Sequence, residues 1–425
     1  MIAAQQRAIA HSLCFQGTVS RSVIMRCIVL VSTQFGRSKR SFPETKTELA
    51  RTFNMHLLSL VKSFALASAL LVPFQTIAET PLSDHSLETT WTQGSYEPYP
   101  LPYFVDDLDR YATTTPPANT VNQNGELEYI GDGVFAAHWF VESNDAVWHF
   151  VTAGDASNDV VVMVHGHPDT WYAYSKVMSK LADDYYVIAV DTLGYGQSDK
   201  RPEVDVSYRA VARSLTNLLD SIGVTNFNLI AHDRGSIISD HLIAQDGVND
   251  RILAFLRMQQ SFDKPHGYPR PAHADMAREE WQAGNVVRGI YQSNYVSVEV
   301  PEAELARLEW EFKFPGTAAA AARTFEGTSF EIERSFRLEN TIPNMTMPVV
   351  ILQGIRDPGQ HPEEYFRSAD LIPNGRVVLV DANHFIHTED PDLVARIAKQ
   401  LFETHNTKRL SKISSEPVKF IYPER

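Results

Sequence analysis

Apolar positions along this chain switch between two periods, and the switching predicts its elements. Residues 136–142 and 147–152 alternate apolar and polar around Ser143, Asn144 and Asp145, the pattern of a β-hairpin. Short apolar runs at 160–164, 185–190, 225–230, 252–258, 348–354 and 376–381 read as strands, that at 160–164 as one covered on both faces. Between them, residues 208–222, the stretch after Gly235 and residues 393–402 repeat at helical spacing. Such alternation predicts an α/β domain with a mostly parallel central sheet and helices on both faces. The rhythm stops at residue 262 and resumes near 342. Segments 279–291, 302–312 and 318–325 in that interval read as helices, so 262–341 is expected to be an inserted helical lid on a core of 135–261 and 342–405.

The flanks carry less pattern. Residues 79–134 are polar and hold Pro98, Pro100, Pro102, Pro116 and Pro117, which suggests an extended arm with little regular structure, wrapped on the body. Residues 406–425 read as a polar tail. Upstream, 1–54 is basic and without periodicity. Residues 55–78 contain Lys62, an apolar run at 64–72, and small residues at Thr76 and Ala78, the features of a secretory signal peptide. That run is shorter than the ~20 residues of a membrane span. The expectation is translation from Met55, with 1–54 an upstream artefact or a disordered prefix. The mature chain would begin near Glu79 and be exported to the periplasm or the exterior. An N-terminal anchor and an organellar transit peptide are the alternatives.

Composition narrows the partners. The chain has 425 residues, 44% hydrophobic and 21% charged, enough for one large lidded domain. A net charge of -14 weighs against nucleic acid and against an anionic membrane after signal cleavage. The two cysteines, Cys14 and Cys27, lie in the prefix, so no disulfide, thiol nucleophile or cysteine metal site is expected in the mature chain. Oligomeric state leaves no mark on the sequence.

The candidate chemistry centres on 228–236, Asn-Leu-Ile-Ala-His-Asp-Arg-Gly-Ser. A strand turning into a helix, with Ala231 two residues before Asp233 and Gly235 two after, has the form of a nucleophile elbow: a tight turn lifts one side chain above the sheet and requires small neighbours. The lifted residue is an Asp. Its carboxylate can attack an sp3 carbon bearing a leaving group and form an alkyl ester, which water then cleaves with the help of a general base and an oxyanion hole. The plain alternative is an Asp that caps the following helix. His165-Gly166-His167-Pro168, leaving a buried strand, can aim the His167 N–H into a pocket, with the Arg234 N–H as a second oxyanion donor. Asp357 and His384 each follow a predicted strand, so the order Asp233, Asp357, His384 is nucleophile, acid, base. His384 would draw a proton from water while Asp357 fixes its tautomer. His387 and Asp263 are the rival base and rival acid.

These motifs make residues 135–403 resemble the α/β-hydrolase superfamily, in its Asp-nucleophile branch of epoxide hydrolases and haloalkane and haloacetate dehalogenases. His165-Gly-His-Pro resembles the oxyanion motif of epoxide hydrolases, whose downstream aromatics make Trp171 a candidate substrate contact. Ala231-His-Asp-Arg-Gly235 resembles the elbow, and Asn383-His-Phe385 with Glu389 and Pro391 the base loop. The resemblance implies an α/β-hydrolase fold, a small electrophilic substrate, water as co-substrate, and no metal or organic cofactor. Epoxide hydrolases protonate the opening oxygen from lid tyrosines or a histidine, for which Tyr268, Tyr291, Tyr295 and His266 are candidates. Haloalkane dehalogenases carry Trp after the nucleophile, where this chain has Arg234. Haloacetate dehalogenases carry Arg there and usually a second one a turn later, where this chain has Ile237, and no His-Trp halide pair stands in the lid. Epoxide hydrolysis is therefore the expected activity. Hydrolytic dehalogenation is the alternative, and a non-catalytic binding protein on the same scaffold is the rival outside enzymes.

Overall fold

The computed structural model describes residues 121–260, 283–327, 330–360, 362–405 and 418–422. Its sheet has ten strands among the described residues: β1 (Leu127–Gly131), β2 (Val134–Ser143), β3 (Ala146–Ala153), β4 (Val160–Val164), β5 (Tyr186–Val190), β6 (Phe227–His232), β7 (Ile252–Met258), β8 (Val349–Gly354), β9 (Gly375–Val380) and β10 (Val418–Tyr422). They lie in the order β1-β2-β3-β5-β4-β6-β7-β8-β9-β10. The six from β5 to β9 run parallel, and β1–β2, β2–β3, β3–β5 and β9–β10 pair antiparallel. β6 carries the elbow and sits near the middle, between β4 and β7.

Burial explains why the central strands read as continuous apolar runs. Along β4, Val160, Val162 and Val164 pack in one apolar layer, while Val161 and Met163 pack in the layer on the other face. The first layer is closed by α2 (Tyr208–Ser221) and α3 (Arg234–Ile243). The second is closed by α1 (Ser175–Leu181) and α10 (Pro391–Thr404). Between 283 and 336 come α4 (Ala283–Tyr291), α5 (Glu302–Phe312), α6 (Thr317–Gly327) and α7 (Phe330–Phe336), where the lid was expected. Val287, Leu305, Leu308, Phe312 and Phe325 of these helices form a third apolar cluster with Tyr195 and Phe385 of the body. After β8 come α8 (Pro362–Leu371) and, after β9, the short α9 (Ile386–Glu389). No helix among the described residues is long and apolar enough to cross a membrane.

Two expectations are corrected. The arm expected over 79–134 contains β1, whose Leu127 and Tyr129 are 65% and 60% exposed and in which Ile130 alone is buried. A strand with one inward residue has no readable period, and the nearby prolines drew the reading toward loop. The polar tail expected over 406–425 contains β10, which adds to the β9 edge by backbone pairing. A five-residue run at a sheet edge carries too little pattern to stand out. The arm up to 120, the prefix and the signal-like segment lie outside the described residues.

Arg257 of β7 ties the elbow helix to the sheet. Its guanidinium meets both carboxylate oxygens of Asp240 in α3, at 2.7 and 3.2 Å, and also donates to the carbonyls of Ser236 and Gln260. Neither side chain of the pair is exposed. Removing one member of such a pair strands the other charge in a dry interior. Asp240→Ala is therefore expected to lower unfolding free energy by about 3–5 kcal/mol, read as a lower midpoint in urea at an unchanged m-value.

Candidate active site

β6 ends at His232, and α3 begins at Arg234. Asp233 between them has φ 47° and ψ -117°, a strained conformation for a residue with a Cβ. The glycines around it make room for the turn. A Cβ on Gly166 would stand 2.5 Å from the Asp233 Cβ, and one on Gly235 would stand 2.2 Å from the Val164 carbonyl oxygen. Asp233 occupies the N-cap position of α3, yet its side chain accepts no bond from that helix. The carboxylate turns the other way. Oδ1 accepts the His167 backbone N–H at 3.1 Å, and Oδ2 accepts the Gln260 side-chain amide at 3.0 Å. The plain capping alternative therefore fails on geometry.

The loop that supplies His167 is held from behind. The Thr192 N–H donates to His165 Nε2 at 3.0 Å, so the imidazole donates through Nδ1 to the Gly166 carbonyl, 2.8 Å away. Further on, the Trp171 N–H donates to buried Asp191 at 2.9 Å. His167 Nδ1 lies 3.0 Å from the Tyr195 hydroxyl, and its ring packs edge-on against Phe312 of α5 and Phe325 of α6. The peptide between His167 and Pro168 is cis. Arg234 pairs with the Tyr208 hydroxyl and lays its guanidinium 4.1 Å from the Phe325 ring centroid.

His384 stands opposite the elbow. Its Nδ1 is 2.8 Å from Asp357 Oδ2, and its Nε2 is 3.7 Å from Asp233 Oδ2, beyond hydrogen-bond length. Asp357 is fixed in turn by the Gly359 N–H at 2.8 Å. The His384 backbone is pinned on both sides: its N–H donates to Tyr295 O at 2.9 Å, and its carbonyl accepts from His232 Nε2 at 3.1 Å. Gly354 permits this approach, since a Cβ there would lie 2.1 Å from the Asn383 carbonyl oxygen.

Charge is partitioned accordingly. Burial opposes ionisation of Asp233, but the positive charges of His384 and Arg234 and the His167 N–H outweigh it and hold its carboxyl well below the usual carboxylate range. Burial favours neutral His384, but the Asp357 and Asp233 carboxylates outweigh it and raise its proton affinity. The Asp233 side chain keeps 13% of its exposure, so it is not sealed.

The structure thus brings Asp233, His384, Asp357 and the His167 N–H together, with Arg234 opening the helix beside them. Other candidates separate. Trp171 is fully buried in the apolar layer, edge-on to His138 and Tyr172, so it is a core residue and not a substrate contact. Tyr291 is buried on Phe385, with its hydroxyl bonded to Asp169. Tyr295 lies edge-on to His384, at 5.6 Å between ring centroids. His387 makes no contact with Asp233 like that of His384. Tyr268, His266 and Asp263 lie outside the described residues. Gln260 was not foreseen from the sequence. It lies just past the end of β7, which becomes informative only once β7 is known to flank β6.

The alpha/beta hydrolase fold family matches residues 159–391, more than half of the chain. Epoxide hydrolase 4 of Mus musculus is 30% identical over 161 residues, which are 37% of this chain and only 40% of that protein. A soluble epoxide hydrolase of Corynebacterium sp. (strain C12) is 24% identical over 272 residues, 60% of this chain and 93% of its own length. The crystal structure of an epoxide hydrolase from Vigna radiata superposes with a TM-score of 0.52 at 19% identity, covering 63% of this chain and 98% of that one. At that identity the structural likeness speaks to fold alone. Sheet order, elbow and family match converge, and the chain belongs to the α/β-hydrolase fold family.

Proposed function

We propose that this hydrolase works through an alkyl ester on Asp233 and converts a small epoxide to a diol. The observation that carries the reading is the Asp233 carboxylate itself: lifted at positive φ, held ionised, and 3.7 Å from an imidazole whose other nitrogen rests on Asp357. Oδ2 attacks the less hindered epoxide carbon, the C–O bond breaks, and the ring oxygen takes a proton from a lid hydroxyl. Tyr295, which burial keeps protonated beside His384, is the described candidate for that donor. His384 Nε2 then takes a proton from water, and the resulting hydroxide attacks the ester carbon. The charge that builds on Oδ1 meets the N–H groups of His167 and Arg234. Collapse expels the diol oxygen, which takes the proton from His384, and the proton left on the regenerated Asp233 carboxyl returns to the Tyr295 phenolate, so that the enzyme ends as it began.

The relatives named above support the epoxide reading, and a substrate panel tests it. Epoxides giving diols are the expected result. Free halide from haloacids or haloalkanes, with no diol, would move the assignment to dehalogenation, and no turnover of either would leave a binding protein. With the signal-like segment 55–78, the proposed place of action is the periplasm or the exterior, to be checked by fractionating cells that express the full chain.

The raised proton affinity of His384 fixes a pH dependence. The base works only when neutral, so ester hydrolysis should rise with pH as His384 loses its proton, through a midpoint that the Asp357 carboxylate holds up and to which Asp233, once esterified, no longer contributes. Asp357→Asn removes the negative partner and should move that midpoint down as it slows the step. Single-turnover rates across pH, for wild type and D357N, read both effects; a midpoint unmoved by D357N would refute the assigned role of Asp357.

A further inference from the structure

Beside the elbow lies a second polar cluster that the ester mechanism does not use. Asp169 follows the His167-Pro168 turn, His232 is the last residue of β6, and His387 belongs to α9 in the base loop. All three are buried. The carbonyl of His384 can only accept, so the 3.1 Å contact from His232 Nε2 puts the proton on Nε2 and leaves Nδ1 with a bare lone pair. That lone pair lies 3.9 Å from Asp169 Oδ2, and neither atom has a hydrogen-bond partner among the described residues. His387 Nε2 lies 3.5 Å from the same oxygen, and neither nitrogen of that ring is partnered. The other Asp169 oxygen accepts the Tyr291 hydroxyl at 2.5 Å. Two acceptors facing one another, beside an imidazole with neither nitrogen partnered among the described residues, are costly in a dry interior. A cation between them turns the repulsion into attraction.

We propose that Asp169, His232 and His387 ligate one divalent transition-metal ion of the zinc class. One ligand atom from each residue lies within 4.8 Å of the others. Ligands about 2.0–2.1 Å from zinc at tetrahedral angles stand about 3.3 Å apart; the observed 3.5 and 3.9 Å to Asp169 approach that spacing, and the two imidazoles, within 4.8 Å of each other, must draw together as the ion binds. The surroundings are those of a ligand set. His232 donates its second nitrogen to a carbonyl and Asp169 is oriented by a phenol, contacts that fix tautomer and direction in metal sites. The ligands come from the oxyanion loop, the elbow and the base loop, so the ion would clamp the three loops that carry the reacting groups. No sequence spacing announces it, because the three positions meet only after folding. The inference is independent of the ester reading, since metal content is measured without turnover.

The test is elemental analysis of untagged full-length protein grown with zinc, followed by cobalt titration of the chelator-treated protein. About one tightly held equivalent is expected, giving intense four-coordinate cobalt bands, and falling below about a tenth of an equivalent in His387→Gln. Absence of stoichiometric metal together with absence of cobalt binding would mean that a trapped water or a proton on Asp169 fills the gap, and would overturn the proposal. So would equal metal in wild type and H387Q, which marks an ion bound elsewhere. Should H387Q fail to fold, the wild-type cobalt spectrum decides: weak six-coordinate bands refute the site.

Discussion

His384→Gln, mixed with an epoxide substrate, is expected to stop with the substrate joined to Asp233. The first step needs only the carboxylate and a proton donor, and Asp233 stays ionised without the imidazole through Arg234 and the His167 N–H. The second step needs a base at the ester carbon, and glutamine cannot take a proton from water. Steady-state turnover should therefore fall by about 10²–10⁴-fold, while intact mass rises by that of one substrate molecule. Peptide mapping should locate the addition on residue 233, and Asp233→Asn should show neither adduct nor turnover. An H384Q protein that turns over normally, or an adduct on another residue, would sink the ester mechanism.

Gly235→Ala should be strongly damaging for so small a change, because the clash it creates lies under the elbow itself. The added Cβ would stand 2.2 Å from the Val164 carbonyl oxygen and 2.5 Å from that of His165. Both are backbone atoms of the strand and turn that supply the oxyanion loop, so no side chain can rotate away. Relief requires α3 to lift from β4, which pulls Asp233 off its donors. A loss of about 4 kcal/mol or more in unfolding free energy is expected, with loss of activity in whatever protein folds. Gly289→Ala is the control. A Cβ there meets nothing within 4 Å inside α4, so alanine should stabilise by about 0.5–1 kcal/mol. Thermal or urea unfolding of the two variants side by side tests the contrast.

The arrangement of the candidate site was legible in the sequence where chemistry and turn geometry coincide. Asp233 between small residues, His384 at the end of one strand and Asp357 at the end of another need no knowledge of strand order to be suspected. Gln260 and the cluster of Asp169, His232 and His387 were not legible, because each depends on which strands lie side by side. β6 is flanked by β4 and β7, and that adjacency, not spacing along the chain, brings Gln260 to Asp233. Trp171 is a contrast of the same kind: an aromatic after an oxyanion motif can face the cavity or the core, and only the folded packing decides. β1 and β10 escaped because edge strands bury too little to show a period.

The two oxygens of Asp233 are not equivalent, since Oδ1 rests on a backbone donor and Oδ2 faces His384. Under the ester mechanism, the atom passed to the product is the protein's own, and solvent replaces it afterwards. Protein in excess over substrate, in heavy-oxygen water, should release unlabelled product and keep the isotope at residue 233. The label should reach the product only on the following cycle, so each molecule of enzyme carries in its carboxylate a record of having acted once.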